Sequence, residues 1–357
     1  MLFTIYHLFS TYINDVVPRT SNPVSFLLFD SNVLACLILF VLENTRFEDW
    51  FIEKMNKFIF SVVIITLIVS VIQIKDITFF IAPSVISNEN SAYFLENGRN
   101  YSIYSWVNLV SIGITFPILI SILINEYDRN KVAFVVVVFS AIIVSFLTRT
   151  RFVMISAILV LSQLLFSSKF ALRKKITYIA IIVVSLIVLV GVSSSFGVDI
   201  QKIVDERILE KGVDLKESSS SAGARITSLN VFIAKFPEHP WFGVGPKTRD
   251  DVLALLDGIP LIHVGYLSYL YFYGIAGCCL LFFSLFFLLK DAWVVGKQHK
   301  FWGSFYGLLA FCFANLTFVY FDMSESGIII AAIYIKFYKS QVSENAEQPE
   351  LDSLVSY

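Results

Sequence analysis

The sequence predicts an all-α, polytopic integral membrane protein with about nine or ten transmembrane helices and one large, partly helical periplasmic loop. Composition gives the first reason: 57% of the 357 residues are hydrophobic, 35 are Phe, and the mean hydropathy is +0.74. A soluble chain of this length cannot hide that much apolar surface, whereas a bilayer accepts it in repeated crossings. Run length gives the second. Apolar stretches at 25–43, 58–75, 105–124, 132–148, 152–168, 176–195, 264–289 and 302–321, with a shorter one at 327–339, approach the roughly 20 residues that cross the hydrocarbon core. Residues 1–17 are apolar but short, and fit either an interfacial helix or a tenth span.

Cation placement gives the third. Connections 44–57, 125–131, 169–175 and 290–301, with the tail from Lys336, hold 14 of the 27 Lys and Arg; the opposite short connections hold five, Arg19, Lys75, Arg99, Arg149 and Arg151. Cytoplasmic short loops collect cations, so the first set faces inward. The domain plan is then N-terminal transmembrane helices over 1–195, a periplasmic loop over 196–262, C-terminal transmembrane helices over 263–339 and a cytoplasmic tail over 340–357.

Within the long loop, Ile200–Leu209 and Gly223–Phe236 carry apolar residues three and four apart and predict amphipathic helices on the membrane. Lys216–Ser221 reads as a flexible link. Pro237, Pro240, Gly243, Gly245 and Pro246 mark a stiff turn, and Thr248 is placed to cap a short helix to Leu256.

A net charge of −1 without Lys/Arg runs gives no field for nucleic acid. Cys36, Cys278, Cys279 and Cys312 all fall in apolar runs and read as small packing residues. His239 and His263 are not at metal-ligand spacing, and there is no Walker loop, Rossmann fingerprint or Asp-x-Asp pair, so no metal or other cofactor is expected.

The polar groups that remain gather on the outer side. Arg149 and Arg151 lie in a connection of about four residues, where they either snorkel or grip an anion through their forked N–H donors. Arg225 begins the second loop helix, after Ser-Ala-Gly-Ala, where a solvated loop cation is the plain reading. His263 stands where the next span begins, as an interfacial polar residue, a hydrogen-bond partner for a sugar hydroxyl or a general base. Gly274 and Gly277 follow, and predict close helix packing.

The stretch 225–277 resembles the signature of the O-antigen polymerase and O-antigen ligase superfamily. Arg225 is followed by His239-Pro240 and then Gly243-Val-Gly245, and His263 by Tyr266-Leu267, Gly274 and Gly277. Thr148-Arg-Thr-Arg151 resembles more loosely the small-residue turn that precedes a span in that family. Val264 stands where the family often has Asn, and Leu229-Asn230 replace a common Trp.

The resemblance implies a metal-independent glycosyltransferase of the bacterial inner membrane whose active site faces the periplasm. Its donor would be an undecaprenyl-diphosphate-linked glycan, and a chain-length regulator and a flippase would be its partners. Arg149, Arg151 and Arg225 would hold the diphosphate, and Arg225 and His263 would be catalytic, His263 positioning or deprotonating the acceptor. Trp241 and Tyr266 would face the glycan, with Gly243, Gly245 and Gly274 setting geometry. Polymerisation of repeat units into O-antigen, capsule or exopolysaccharide leads. Ligation of finished glycan to lipid A-core is the alternative with the same chemistry, and a polysaccharide-related transporter or flippase is the alternative of another class.

Overall fold

The structure is a computed structural model that describes residues 2–13, 31–81, 100, 102–103, 110–167, 169–195, 221–245, 256, 262, 264–316 and 325–355. Among these, all regular structure is helical. In chain order the helices are α1 (Leu2–Ile13), α2 (Ser31–Asn44), α3 (Asp49–Ile72), α4 (Val110–Glu126), α5 (Lys131–Leu147) and α6 (Arg151–Phe166). They continue with α7 (Leu172–Ser195), α8 (Ser221–Lys235), α9 (Gly265–His299), α10 (Gly303–Ala314) and α11 (Ser326–Val355). A short 3-10 turn, Phe236–Glu238, follows α8.

Local chemistry marks several boundaries. The Asn130 side chain accepts from the Ala133 N–H at 3.2 Å and caps α5, which satisfies one of its orphan donors. Asp49 in the first turn of α3, and Lys297 and His299 in the last turn of α9, complement the helix dipoles. Lys300 closes α9 in the left-handed conformation that ends many helices.

The bundle is built around α4, which is buried from Ile112 to Asn125. A helix apolar on every side belongs inside, and α3, α5, α6, α10 and α11 all pack on it. The outer faces of α3, α7 and α9 expose Phe58, Ile68, Val184, Ile187, Phe283 and Phe286, the pattern of a surface solvated by lipid.

Among the described residues, two helices, Asp49–Ile72 and Gly265–His299, are long and apolar enough to cross a membrane, whereas the apolar segments Ile112–Glu126, Lys131–Leu147, Arg151–Phe166 and Gly303–Ala314 are shorter. At about 1.5 Å per residue the 24 residues of α3 exceed a hydrocarbon core of about 30 Å, and helices of 12–17 residues do not. The described residues therefore present two full-length candidates, and the expected spans at 25–43, 105–124 and 302–321 run into residues outside them. Of the helices expected in the long loop, 200–209 and all of 248–256 but its last residue lie outside the described residues, whereas Gly223–Phe236 is helical to Lys235 and turns at Phe236.

Hydrogen bonds fix the two ends of the bundle. At one end, Ser121 Oγ donates to the Gly303 carbonyl at 2.7 Å, and the Asn125 amide reaches Gln163 at 2.5 Å. At the other, the Gly327 N–H donates to Thr115 Oγ1 at 3.2 Å, and the Gly265 N–H to the Asn315 carbonyl at 3.0 Å. Gly113 lies there too, against the ring of Phe152. The first residues of α6, α9 and α11 therefore share one end of the molecule, and the sequence-predicted site residues that are described lie on the elements meeting there.

Candidate functional site at a broken helix

Helix α9 is two helices. Gly274 has φ 63° and ψ −173°, a backbone region reserved almost wholly for glycine, and the helix breaks there. The sequence marks Gly274 as a packing glycine in an unbroken span. The close approach is there, against the backbone of Trp241 and Gly243, but the span is not unbroken, because the helix cannot continue through such a torsion pair. Gly277 does serve packing, against the ring of Tyr6 on α1.

A break leaves carbonyls at one helix end and N–H groups at the next without intrahelical partners. The turn after α8 supplies them. Val244 and Gly245 donate their N–H groups to the carbonyls of Tyr271 and Phe272, at 3.1 and 2.8 Å. In return, Ile275 and Ala276 donate to the carbonyls of Pro240 and Trp241, at 2.9 and 3.0 Å. Backbone at membrane depth is stable when other protein satisfies it in this way. The turn itself closes through the Gly243 N–H on the His239 carbonyl at 3.0 Å.

The exchange requires both glycines. Gly243 has φ 70°, and a Cβ on it would strike the Phe272 carbonyl and come within 2.6 Å of the Gly274 nitrogen. A Cβ on Gly274 would strike the Trp241 carbonyl and come within 2.5 Å of the Gly243 nitrogen. The Gly-x-Gly turn and the glycine of the following span are thus two halves of one joint.

A small apolar core ties α8 to this joint. Phe232, Val244, Leu256, Ile262 and Tyr271 are buried together, with Leu267, Leu270 and Phe272 packed against them. Phe232 also stacks on Phe236, with ring centroids 4.9 Å apart. Arg225, two helical turns before Phe232, is thereby fixed relative to the first half of α9.

Arg225 and Arg151 approach one another. Arg225 is half-buried, and its guanidinium pKa is lowered, first by burial and second by the positive charge of Arg151. Arg151 is the first residue of α6, where the helix dipole disfavours a cation. Arg149 takes φ 51°, a left-handed conformation costly for a residue with a side chain. Two half-buried cations near one another, one at the positive end of a helix, form a surface that an anion stabilises. His263 lies outside the described residues.

Other sequence-predicted residues divide by exposure. Trp241 is 64% exposed beside the joint. Tyr266 is turned inward: its hydroxyl donates to the Cys312 carbonyl at 2.9 Å and its ring lies 5.4 Å from that of Phe282. Among the described residues, no group of three or more His, Cys, Asp or Glu is placed to hold a metal ion. Sequence reading missed Tyr6, whose hydroxyl reaches the joint across 236 residues, from a helix outside every motif.

Among the described residues the architecture is all-helical, and its apolar helices, with the family match, are those of a membrane protein. Residues 133–282 match the family model described as O-antigen ligase, and this match supports the O-antigen polymerase and ligase superfamily that the motifs resemble. The matched segment runs from α5 into the second half of α9 and contains the three arginines and both glycines of the joint. Comparison with curated proteins finds no match.

Proposed function

We propose that this protein transfers a glycan from a polyprenyl-diphosphate carrier to a sugar hydroxyl at the periplasmic face of the bacterial inner membrane, extending a surface polysaccharide. Members of the matched family are glycosyltransferase-like enzymes, and the family implies a polyprenyl-linked glycan as substrate. The observation that carries the proposal is the nearness of Arg225 to Arg151, whose charge acts on it, with Arg225 on the helix that the Phe232–Val244 core ties to the Gly243–Gly274 joint.

In the reaction, the acceptor hydroxyl oxygen attacks the anomeric carbon as the bond from that carbon to the diphosphate oxygen breaks. The leaving diphosphate keeps the bonding electron pair, and Arg149, Arg151 and Arg225 stabilise its growing charge. His263 takes the acceptor proton. Energy is already stored in the diphosphate ester, so the step needs neither nucleotide nor metal. Trp241, exposed beside the joint, is suited to stack on a sugar, whereas the inward bond of Tyr266 suits a scaffold role.

Two observations favour other readings. The matched family is described by its ligases, whose acceptor differs while the bond chemistry is the same. A discontinuous helix is also a feature of transporters, which place it at mid-membrane around a polar cavity. Here the break falls nine residues into a 35-residue helix, and the protein's own turn fills it, which favours chemistry at the rim.

The glycan profile of a deletion strain separates the three. A single repeat unit left on its acceptor supports the polymerase. Full-length polymer left on its lipid carrier indicates a ligase, and unpolymerised lipid-linked repeats held on the cytoplasmic side indicate a flippase.

A further inference from the structure

The Tyr6 hydroxyl lies 2.7 Å from the Tyr273 carbonyl and 3.0 Å from the Phe242 carbonyl. Its single proton is shared between two acceptors, one on each side of the joint. Tyr273 is the last residue before the break, where carbonyls lose their regular helical partners. Phe242 belongs to the turn that plugs it. The Tyr6 ring fills the space left by Gly277, and Phe3, one turn earlier on α1, meets the Tyr273 ring edge-on at 5.2 Å.

We infer that Tyr6 is a positioning residue for the transfer reaction, a clasp that holds the arginine-bearing and histidine-bearing parts of the site in register. The turn bearing Phe242 leads back through the Phe232–Val244 core to Arg225, and the half-helix ending at Tyr273 begins two residues after His263. Helix α1 bonds to both through one side-chain atom. The inference rests on the proposed glycosyl transfer, and it assigns a role to a helix outside residues 133–282.

The test uses the full-length protein in detergent or nanodiscs, with Tyr6→Phe as the main variant. It keeps the ring against Gly277 and removes only the hydroxyl. Phe3→Leu, which keeps the hydroxyl, is the packing control. Amide exchange is read at Val244 and Gly245, and steady-state transfer is measured from a synthetic polyprenyl-diphosphate-linked repeat.

For Tyr6→Phe, exchange at the two amides should rise and kcat should fall by about three- to tenfold, the range set by one lost hydrogen bond. The donor KM should stay within about twofold, because the hydroxyl bonds protein and not substrate. Phe3→Leu should keep wild-type kcat. Wild-type kcat in Tyr6→Phe, with or without faster exchange, overturns the positioning role. So does a raised KM at constant kcat. Absence of transfer by the wild-type protein would instead overturn the glycosyltransferase reading, and the positioning role with it.

Discussion

Gly243 and Gly274 meet backbone to backbone, each in a positive-φ conformation and neither with room for a Cβ. They lie far apart in the sequence, yet each carries the atoms against which the other must fit. The turn satisfies the broken ends of α9, and the break gives the turn its seat. What is proposed for Arg225 depends on this joint, because it sets where α8 stands.

Alanine at either glycine should therefore be costly. Gly274→Ala combines a clash against backbone with a torsion pair that costs about 1–3 kcal/mol for a residue bearing Cβ. Thermal unfolding should show a lowered midpoint, and transfer should fall at least tenfold. The double variant Gly243→Ala/Gly274→Ala should be much less than additive, since the first substitution already opens the joint. Full additivity would mean that the two contacts are independent.

Arg149 supplies a test of function against stability. Its φ of 51° belongs to a glycine at the end of α5. Arg149→Gly should leave the fold intact or stabilise it by about 1 kcal/mol, because the left-handed strain is relieved. The same variant should lose transfer activity. A variant both destabilised and fully active would remove Arg149 from the site.

Anion binding can be measured without a glycan. Inorganic pyrophosphate should raise the unfolding midpoint of the wild-type protein, by about 2.7 kcal/mol equivalent at a hundredfold excess over its Kd. The effect should shrink in high salt and in Arg151→Ala. Equal stabilisation in wild type and Arg151→Ala would place the anion elsewhere.

Much of this was legible in the sequence, and the limits have physical causes. The helices from α3 to α7 and the start of α9 follow from apolar run length, and α8 follows from its spacing of three and four. The cationic residues were visible because arginines stand out in an apolar chain. The break at Gly274 was not, since the flanking residues Tyr271, Phe272, Ile275 and Ala276 continue a helical pattern on both sides. A glycine that packs and a glycine that breaks look alike until its partner backbone is in place. Tyr6 was invisible for a similar reason: its bonds are to carbonyl oxygens, which carry no residue identity.

Away from the joint, Lys169 offers a pH test. Its ammonium donates to the Asn125 carbonyl and lies 3.8 Å from Asp128. Burial lowers its pKa below 10.5, while Asp128 pulls the other way. Between the lowered folded value and 10.5 the unfolded chain binds more protons, so this residue's contribution to stability rises with pH there. The difference between wild-type and Lys169→Gln stability should therefore shift in favour of wild type as pH rises through that window. A difference that stays flat would show that burial does not depress the ammonium.

The most direct measurement is transfer by purified Arg225→Ala against wild type, using a polyprenyl-diphosphate-linked repeat as the sole donor. A folded Arg225→Ala protein should lose at least a hundredfold in kcat/KM, about 2.7 kcal/mol of transition-state stabilisation, with no polymer beyond the first repeat. Polymer made at the wild-type rate and length by that variant would contradict the account.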